Sequence, residues 1–366
     1  MKTDQEYMQL ALDLAATAKG KTNPNPVVGA VIVKDGVIVG TGIHRKAGEP
    51  HAEVHAFKMA GDYACGATLY VTLEPCSHFG KTPPCANLVK ESRVSRVVVA
   101  TQDPNPSVAG RGIGLLRDAG IEVEVGVLEK EALLLNERFI HNMKTQRPFV
   151  ISKTAMTLDG KLATHTGHSQ WITGEEARRS VHQLRNEVDS ILVGIGTVLA
   201  DDPSLTTRLP EGGKSPIRII VDSQLRTPLE AKVTDCKEAK TWIVTSEGTD
   251  AEKRAALIKK GVELIDVPLT AMGLNLEYLL NELYRRGVTD VLVEGGGEIN
   301  ASFLRDGLID KYIVYVAPKV LAGKHSLTPF AGVDAETMDE AIDLSFHHID
   351  KIGDDLCITA YPTFKQ

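Results

Sequence analysis

Two separated stretches constrain this chain more than anything else in it: His51-Ala52-Glu53, and Glu74-Pro75-Cys76 with a further cysteine at Cys85. Zinc takes imidazole nitrogen and thiolate sulfur in a tetrahedron, and a catalytic site uses three protein ligands so that the fourth position stays open to water. His51, Cys76 and Cys85 are the candidate ligands. Glu53 sits close enough to reach a bound water without being a ligand, which is the position a proton shuttle needs. The fold must therefore bring both stretches to one point.

The local pattern says how. Residues 52–60 read as a helix beginning just after Glu49-Pro50. Because residues i and i+2 do not share a helix face, His51 belongs at the helix start and not in its body. Cys76 follows a strand-like run over 67–73 and reads as another helix start, where the N-terminus favours thiolate over thiol. A structural zinc knot is the alternative, with Cys65, His55 and His78 as spare donors. Such knots are closed by four protein ligands with tightly spaced cysteine pairs, whereas residues 77–84 separate this pair.

His-Ala-Glu with Pro-Cys and a later Cys resembles the cytidine-deaminase-like zinc hydrolases. The form Cys76-Ser-His-Phe-Gly-Lys-Thr-Pro-Pro-Cys85 is similar to their riboflavin-biosynthesis branch, bifunctional pyrimidine deaminases and reductases, and the resemblance runs along essentially the whole chain. It implies a cytidine-deaminase-like three-layer α/β/α domain over 1–146 and a dihydrofolate-reductase-like α/β domain over 147–366. The longer loop carrying Lys81 suits a phosphorylated pyrimidine.

The first domain has a consistent rhythm. Residues 4–18 form an amphipathic helix capped by Thr3 or Asp4, and 27–33 with 37–39 form a hairpin around Lys34-Asp35-Gly36. After the metal motif, 94–100, 112–119 and 121–125 repeat a β-α-β pattern, which implies parallel strands covered by helices. Ligands collect at the carboxyl ends of such strands, where the loop Asp103-Pro104-Asn105-Pro106 falls. A helix over 128–142 closes the domain. Asn25 and His44 are substrate contacts by resemblance; from the residues alone, a loop Asn such as Asn25 is mostly a turn former, and His44 is equally a pocket or a surface residue.

Thr145-Gln146-Arg147-Pro148 reads as a hinge, after which a strand-rich pattern begins. Residues 149–155, the turn Asp159-Gly160 and 161–164 look like an opening hairpin. Strand 190–193 ends in Gly194-Ile195-Gly196-Thr197, and strand 291–294 ends in Gly295-Gly296-Gly297, places where backbone N–H groups can approach a phosphate. Neither has the Rossmann spacing. With the resemblance, they imply a dinucleotide on a non-Rossmann sheet, with Ala155, Trp171, Thr197, Asp201, Ser223, Gly295, Gly296 and Gly297 as NADPH contacts. A hydroxyl and a guanidinium at a strand end, Ser223 and Arg226, suit the 2′-phosphate that distinguishes NADP from NAD; the same stretch reads equally as a surface turn, and the resemblance is what implies NADP. By resemblance, Ser169, Arg185, Leu205, Arg208 and Glu294 contact substrate; from the residues alone, either arginine is equally a solvated surface charge. Lys153 and Asp201 are both candidate proton donors, and sequence does not choose between them.

Composition narrows the rest. The 41 basic and 48 acidic residues give a net charge of −7 without any Lys/Arg block, so the electrostatic footprint of a nucleic-acid binder is missing. Aromatic residues are 5% and unclustered, which also weakens an RNA-editing reading. Five cysteines at irregular spacing make no disulfide framework. The polar N-terminus and the lack of a long apolar run point to a cytoplasmic enzyme with no membrane association. The expectation is a homo-oligomer, dimer or tetramer, carrying Zn2+ and NADPH. The resemblance implies that it deaminates 2,5-diamino-6-(5-phosphoribosylamino)pyrimidin-4(3H)-one, then reduces the ribosyl side chain to give 5-amino-6-(5-phosphoribitylamino)uracil.

Overall fold

The computed structural model describes residues 2–77, 83–105 and 109–363. The chain divides into two compact units, Met1–Gln146 and Arg147–Gln366.

The first unit contains α1 (Asp4–Ala16), β1 (Gly29–Lys34), β2 (Val37–Ile43), α2 (Ala52–Ala60), β3 (Thr68–Val71), α3 (Cys85–Glu91), β4 (Arg96–Val99), α4 (Arg111–Asp118), β5 (Glu122–Val125), α5 (Glu129–Leu135) and α6 (Glu137–Thr145). Its sheet runs β2-β1-β3-β4-β5, with β3, β4 and β5 parallel and β1 antiparallel to both its neighbours. Successive strand residues point to opposite faces, and here both faces are covered. Ile32, Leu69 and Val97 pack with Ala56, Phe57, Val89 and Leu116 of the helices on one side. Val31, Tyr70 and Val98 pack with Met8, Leu12 and Ala132 on the other. The outcome is the three-layer α/β/α sandwich implied by the resemblance. Thr3 caps α1 in a reciprocal box with Glu6, so the cap is Thr3 and not Asp4.

Two local expectations fail in this unit. The helix expected over 128–142 is two helices broken at Asn136, whose side-chain oxygen accepts from the Val27 N–H at 2.9 Å and whose amide donates to the Val27 carbonyl at 3.0 Å. A buried side chain doing backbone work stops the helical ladder. Cys76 also starts no helix: α3 begins at Cys85, and the Cys85 N–H points at the Cys76 sulfur at 3.3 Å.

The second unit contains β6 (Phe149–Thr157), α7 (Glu175–Glu187), β7 (Ser190–Gly194), α8 (Ile195–Asp201), β8 (Ile217–Val221), β9 (Thr241–Thr245), α9 (Ala251–Lys259), β10 (Glu263–Asp266), the two-residue ladder of β11 (Leu269–Thr270) and β12 (Gly273–Leu274), α10 (Leu276–Arg285), β13 (Asp290–Val293), α11 (Gly297–Arg305), β14 (Lys311–Ala317), β15 (Leu344–Ile352) and β16 (Asp355–Pro362). The large sheet runs β10-β9-β8-β7-β13-β6-β14-β16-β15, parallel from β10 through β14 and antiparallel at its β16-β15 end. The parallel strands are almost continuously apolar, as expected where both faces are covered. The expected opening hairpin is absent among the described residues. β6 continues to Thr157 and pairs with β13 and β14, while residues 161–164 form only a single bridge, Ala163 to Leu327. A central parallel strand has both edges occupied, leaving no place for a hairpin partner.

Candidate functional sites

In the first unit, α2 and α3 aim their N-termini at one point. His51 occupies the N-cap of α2 without capping it, which leaves its ring free. Its Nδ1 lies 3.5 Å from Cys76 Sγ and 3.4 Å from Cys85 Sγ, and the three donor atoms all lie within 4.8 Å of one another. Tetrahedral zinc with ordinary Zn–N and Zn–S bonds separates such donors by about 3.6 Å, so the set fits zinc. The charges agree. The Cys85 side chain, and then the His51 and Cys85 N–H hydrogen bonds, pull the Cys76 thiol down to about 4 against its burial. Cys85 is pushed up by the Cys76 thiolate, burial and Glu53, so without a cation it keeps its proton beside the Cys76 thiolate, and a divalent cation would displace that proton. Glu53, on the first turn of α2, is 3% exposed, and burial raises its carboxyl above the ordinary range.

Asn25 and His44 adjoin this point. His44 is 2% exposed; its Nδ1 faces the Pro50 carbonyl at 3.2 Å and its Nε2 faces the Asn25 amide at 3.1 Å. A ring that donates from Nδ1 to a carbonyl accepts at Nε2, which is the neutral tautomer. Burial accordingly lowers the His44 pKa. The His44 ring meets the His51 ring edge-on at 5.3 Å. Lys81, His78 and Pro106 lie outside the described residues.

In the second unit, a cleft of about 1120 Å³ opens at the carboxyl ends of β6, β7, β8 and β13. β13 lies between β7 and β6, where strand order reverses, and such crevices are where open α/β sheets bind ligands. Ala155, Ser169, Trp171, Arg185, Thr197, Asp201, Arg208, Ser223, Arg226, Glu294 and Gly295 to Gly297 all line it. Leu205 does not. It is 4% exposed, packed among Ile220 and Leu225, with φ of 53°, so any contact it offers a ligand is through backbone.

The cleft's electrostatics are built on Glu294. Its carboxylate takes a bidentate bond from Arg185, at 2.7 and 2.9 Å, and an ion pair from Lys153 at 2.7 Å. Burial alone would raise this carboxyl; Arg185 and Lys153 override it and hold it well below the usual range. The third Arg185 contact is the Thr206 carbonyl at 3.1 Å. Two cations against one carboxylate leave one positive charge, and Arg208, exposed at the cleft wall, adds a second that feels Arg185 as a like charge. Burial and then the repulsion of Arg185 and Arg208 depress His182 to about 4. Its Nδ1 accepts the Arg208 N–H at 3.3 Å. Asp201 is raised by burial. Arg226 stands 4.0 Å from the buried Asp222, beside Ser223.

The glycines divide by cause. A Cβ on Gly295 would meet Ile299 at 1.8 Å and one on Gly297 the Thr328 carbonyl at 2.7 Å, so the chain's own packing demands both. Gly296 has only the Thr197 hydroxyl, 4.0 Å away, near its would-be Cβ, which leaves room for a ligand. His182 and Arg178 escaped notice in the sequence. With Arg185 they fall at i, i+4 and i+7 on α7, and this face lines the cleft; Arg178 also sits 4.6 Å over the Trp171 ring.

A zinc-type His/Cys/Cys site with a buried glutamate on an α/β/α sandwich, followed by a second α/β unit with a cationic cleft, defines a deaminase joined to a reductase. Comparison with known proteins agrees. Residues 1–101 match the cytidine and deoxycytidylate deaminase zinc-binding region, and 148–358 match the RibD C-terminal domain. The riboflavin biosynthesis protein RibD of Aquifex aeolicus is 47% identical over 97% of both chains, and that of Escherichia coli 42% identical over 97% of this chain and 98% of the relative. Among solved structures, Acinetobacter baumannii RibD superposes with a TM-score of 0.87 at 40% identity, covering 99% of both chains. The Thermotoga maritima diaminohydroxyphosphoribosylaminopyrimidine deaminase/5-amino-6-(5-phosphoribosylamino)uracil reductase gives 0.86 at 38%, covering 98% of this chain and 99% of the other. This chain belongs to the RibD family, bifunctional deaminase-reductases of riboflavin biosynthesis that use zinc and NADPH.

Proposed function

We propose that residues 1–146 carry the deaminase and 147–366 the reductase, with the site residues named above in the roles that follow. The convergence of His51, Cys76 and Cys85 on one point beside a buried Glu53 carries the first assignment. Zinc, when bound there, would supply Lewis acidity and lower the pKa of water. Glu53, buried beside the ligand point with its carboxyl raised by burial, would take the proton from that water and deliver it to the departing ammonia. Asn25, oriented by neutral His44, whose two ring nitrogens are already engaged, would hydrogen-bond the pyrimidine, and Lys81 would hold its phosphate.

In the second unit, the nicotinamide ring would supply the hydride. Ala155, Trp171, Thr197, Asp201 and Gly295 to Gly297 would hold the cofactor at the strand ends, with Ser223 and Arg226 on the 2′-phosphate. Arg208, backed by the charge of Arg185, would take the substrate phosphate, while Ser169, Glu294 and the Leu205 backbone orient the sugar.

Cys76 and Cys85 must stay reduced to serve as ligands, and no disulfide joins any described cysteine, in keeping with a cytoplasmic enzyme. No described helix is long and apolar enough to cross a membrane. The terminal strand β15 is exposed along nearly its whole length and bears Phe346 at 65% and Ile349 at 58%. An open apolar edge of this kind is a self-pairing surface, so the proposed assembly is a homo-oligomer of this chain.

Incubating the protein with the diaminopyrimidine phosphate, with and without NADPH, tests the reading. Ammonia release should occur without NADPH, and NADPH oxidation should follow only on the deaminated product. NADPH oxidation without prior ammonia release would break the proposed order.

A further inference from the structure

Glu74 accepts four backbone hydrogen bonds, and nothing in the chemistry above uses it. It is 5% exposed and stands just before Pro75-Cys76. Its Oε2 accepts from the N–H groups of Asp103 at 3.2 Å and Gly110 at 2.9 Å; its Oε1 accepts from those of Gly112 at 2.8 Å and Ile113 at 3.2 Å. No cation pairs with it among the described residues. Backbone N–H groups at and before the start of α4 replace one, helped by the positive end of that helix. The fit leaves no slack, since a Cβ on Gly112 would lie 2.1 Å from the Pro75 carbonyl and 3.1 Å from Glu74 Oε1.

The consequence lies at the metal point. Cys76 follows a strand end and starts no helix, so its position depends on what holds residues 74 and 75. The Glu74 N–H donates to the Thr101 carbonyl at 3.0 Å, and the Ala86 N–H to the Cys76 carbonyl at 3.1 Å. Backbone bonds thus fix this arm on one side, and the Glu74 carboxylate fixes it to α4 and to the loop at Asp103 on the other. We infer that Glu74 is a positioning residue: it docks the Cys76 ligand arm onto the N-terminus of α4 and so sets the geometry and retention of the metal. The inference rests on the reading of His51, Cys76 and Cys85 as metal ligands. Partners one shell beyond a metal typically change affinity or activity by about 10- to 100-fold when removed.

The variant Glu74→Gln keeps the shape but turns one acceptor oxygen into an NH2 group facing two N–H donors. At a temperature well below unfolding, the variant should bind about one zinc and surrender it to a chromophoric chelator roughly 10- to 100-fold faster than wild type. The control is Val97→Ala, a fully buried β4 position in the same unit. If Val97→Ala, at a matched drop in unfolding temperature, releases zinc as fast as Glu74→Gln, or if Glu74→Gln releases it at the wild-type rate, the positioning role is gone. Should Glu74→Gln not fold, the wild type answers by amide exchange. Stripping zinc should accelerate exchange at Gly112 and Ile113 more than at β4 amides, and equal exchange with and without zinc overturns the coupling. Failure of the wild type to bind zinc at all would instead sink the ligand assignment, which is a separate result.

Discussion

The two sites are electrostatic opposites. The first gathers acidic donors, Cys76, Cys85 and Glu53, around a space that calls for a cation; the second gathers Lys153, Arg185 and Arg208 around a space that calls for an anion. Their construction differs as well. The metal point is assembled from 51–85 by two adjacent helix starts and one strand end, whereas the cleft draws on side chains from 153 to beyond 294, carried by strand ends, α7 and loops. A site encoded by short spacing leaves a signature in the chain. One encoded by tertiary assembly leaves mainly glycines and charges, which have other uses.

The largest effect that would sharpen this contrast is at Glu53. General acid–base catalysis contributes about 10²- to 10⁴-fold, so Glu53→Gln should lose at least 10²-fold in ammonia release. It should retain about one zinc by elemental analysis if His51, Cys76 and Cys85 are the ligands, as proposed. Reduction of already deaminated substrate should continue at the wild-type rate. If metal and activity vanish together, Glu53 supports the site's structure and the proton-shuttle role falls.

Next come the arginines, and here the structure splits a pair that sequence treats as equal. Arg208→Ala removes an exposed charge, so reductase kcat/KM should fall by roughly ten- to a hundredfold, corresponding to about 1.5–3 kcal/mol for a charged hydrogen bond. Thermal stability should barely move. Arg185→Ala removes the bidentate partner of a buried carboxylate, and breaking such a pair is strongly destabilising. It should lower both kcat/KM and the unfolding temperature of the second unit. On a dephosphorylated substrate, wild type and Arg208→Ala should be nearly equally poor; a variant that loses the same factor on both substrates assigns Arg208 away from the phosphate.

How much was legible follows the same division. His51 at the N-cap could be placed because i and i+2 cannot share a helix face. Asn136 could not, because nothing local announces that a helix-interior Asn will bond to Val27, far upstream in sequence. The absent hairpin at 149–164 shows the limit of local turn signals: Asp159-Gly160 does turn, but the vacancies beside β6 belong to β13 and β14, which lie far along the chain. His182 needed only its position on α7 relative to Arg185, a period-3.6 argument applied to polar residues as it is to apolar ones.

A smaller effect concerns cofactor choice. Arg226 is exposed and only loosely tied to Asp222 at 4.0 Å, so its removal should leave stability unchanged. Arg226→Ala should raise the KM for NADPH about tenfold while leaving that for NADH nearly alone, as one charged contact to the 2′-phosphate is worth about 1.5 kcal/mol or more. Equal changes for both nucleotides would remove the 2′-phosphate from the role of Ser223 and Arg226.

The smallest effect tests whether the cleft is cationic enough to hold a histidine neutral. His182 is depressed from 6.5 to about 4, first by burial and then by Arg185 and Arg208. The unfolded chain takes up this proton near 6.5 while the folded cleft resists until about 4, so folding stability falls as pH drops through that interval and changes no further below it. Above 6.5 the residue contributes no pH dependence. Both tryptophans, Trp171 and Trp242, lie in the second unit, so denaturant unfolding followed by tryptophan fluorescence reports on this unit alone. The unfolding midpoint of wild type should drop more steeply from pH 6.5 to 4 than that of His182→Gln. Inorganic phosphate, by neutralising Arg208, should make the wild-type slope shallower. Parallel curves for the two proteins would mean that His182 titrates normally and that the positive charge of the cleft is already neutralised by Glu294.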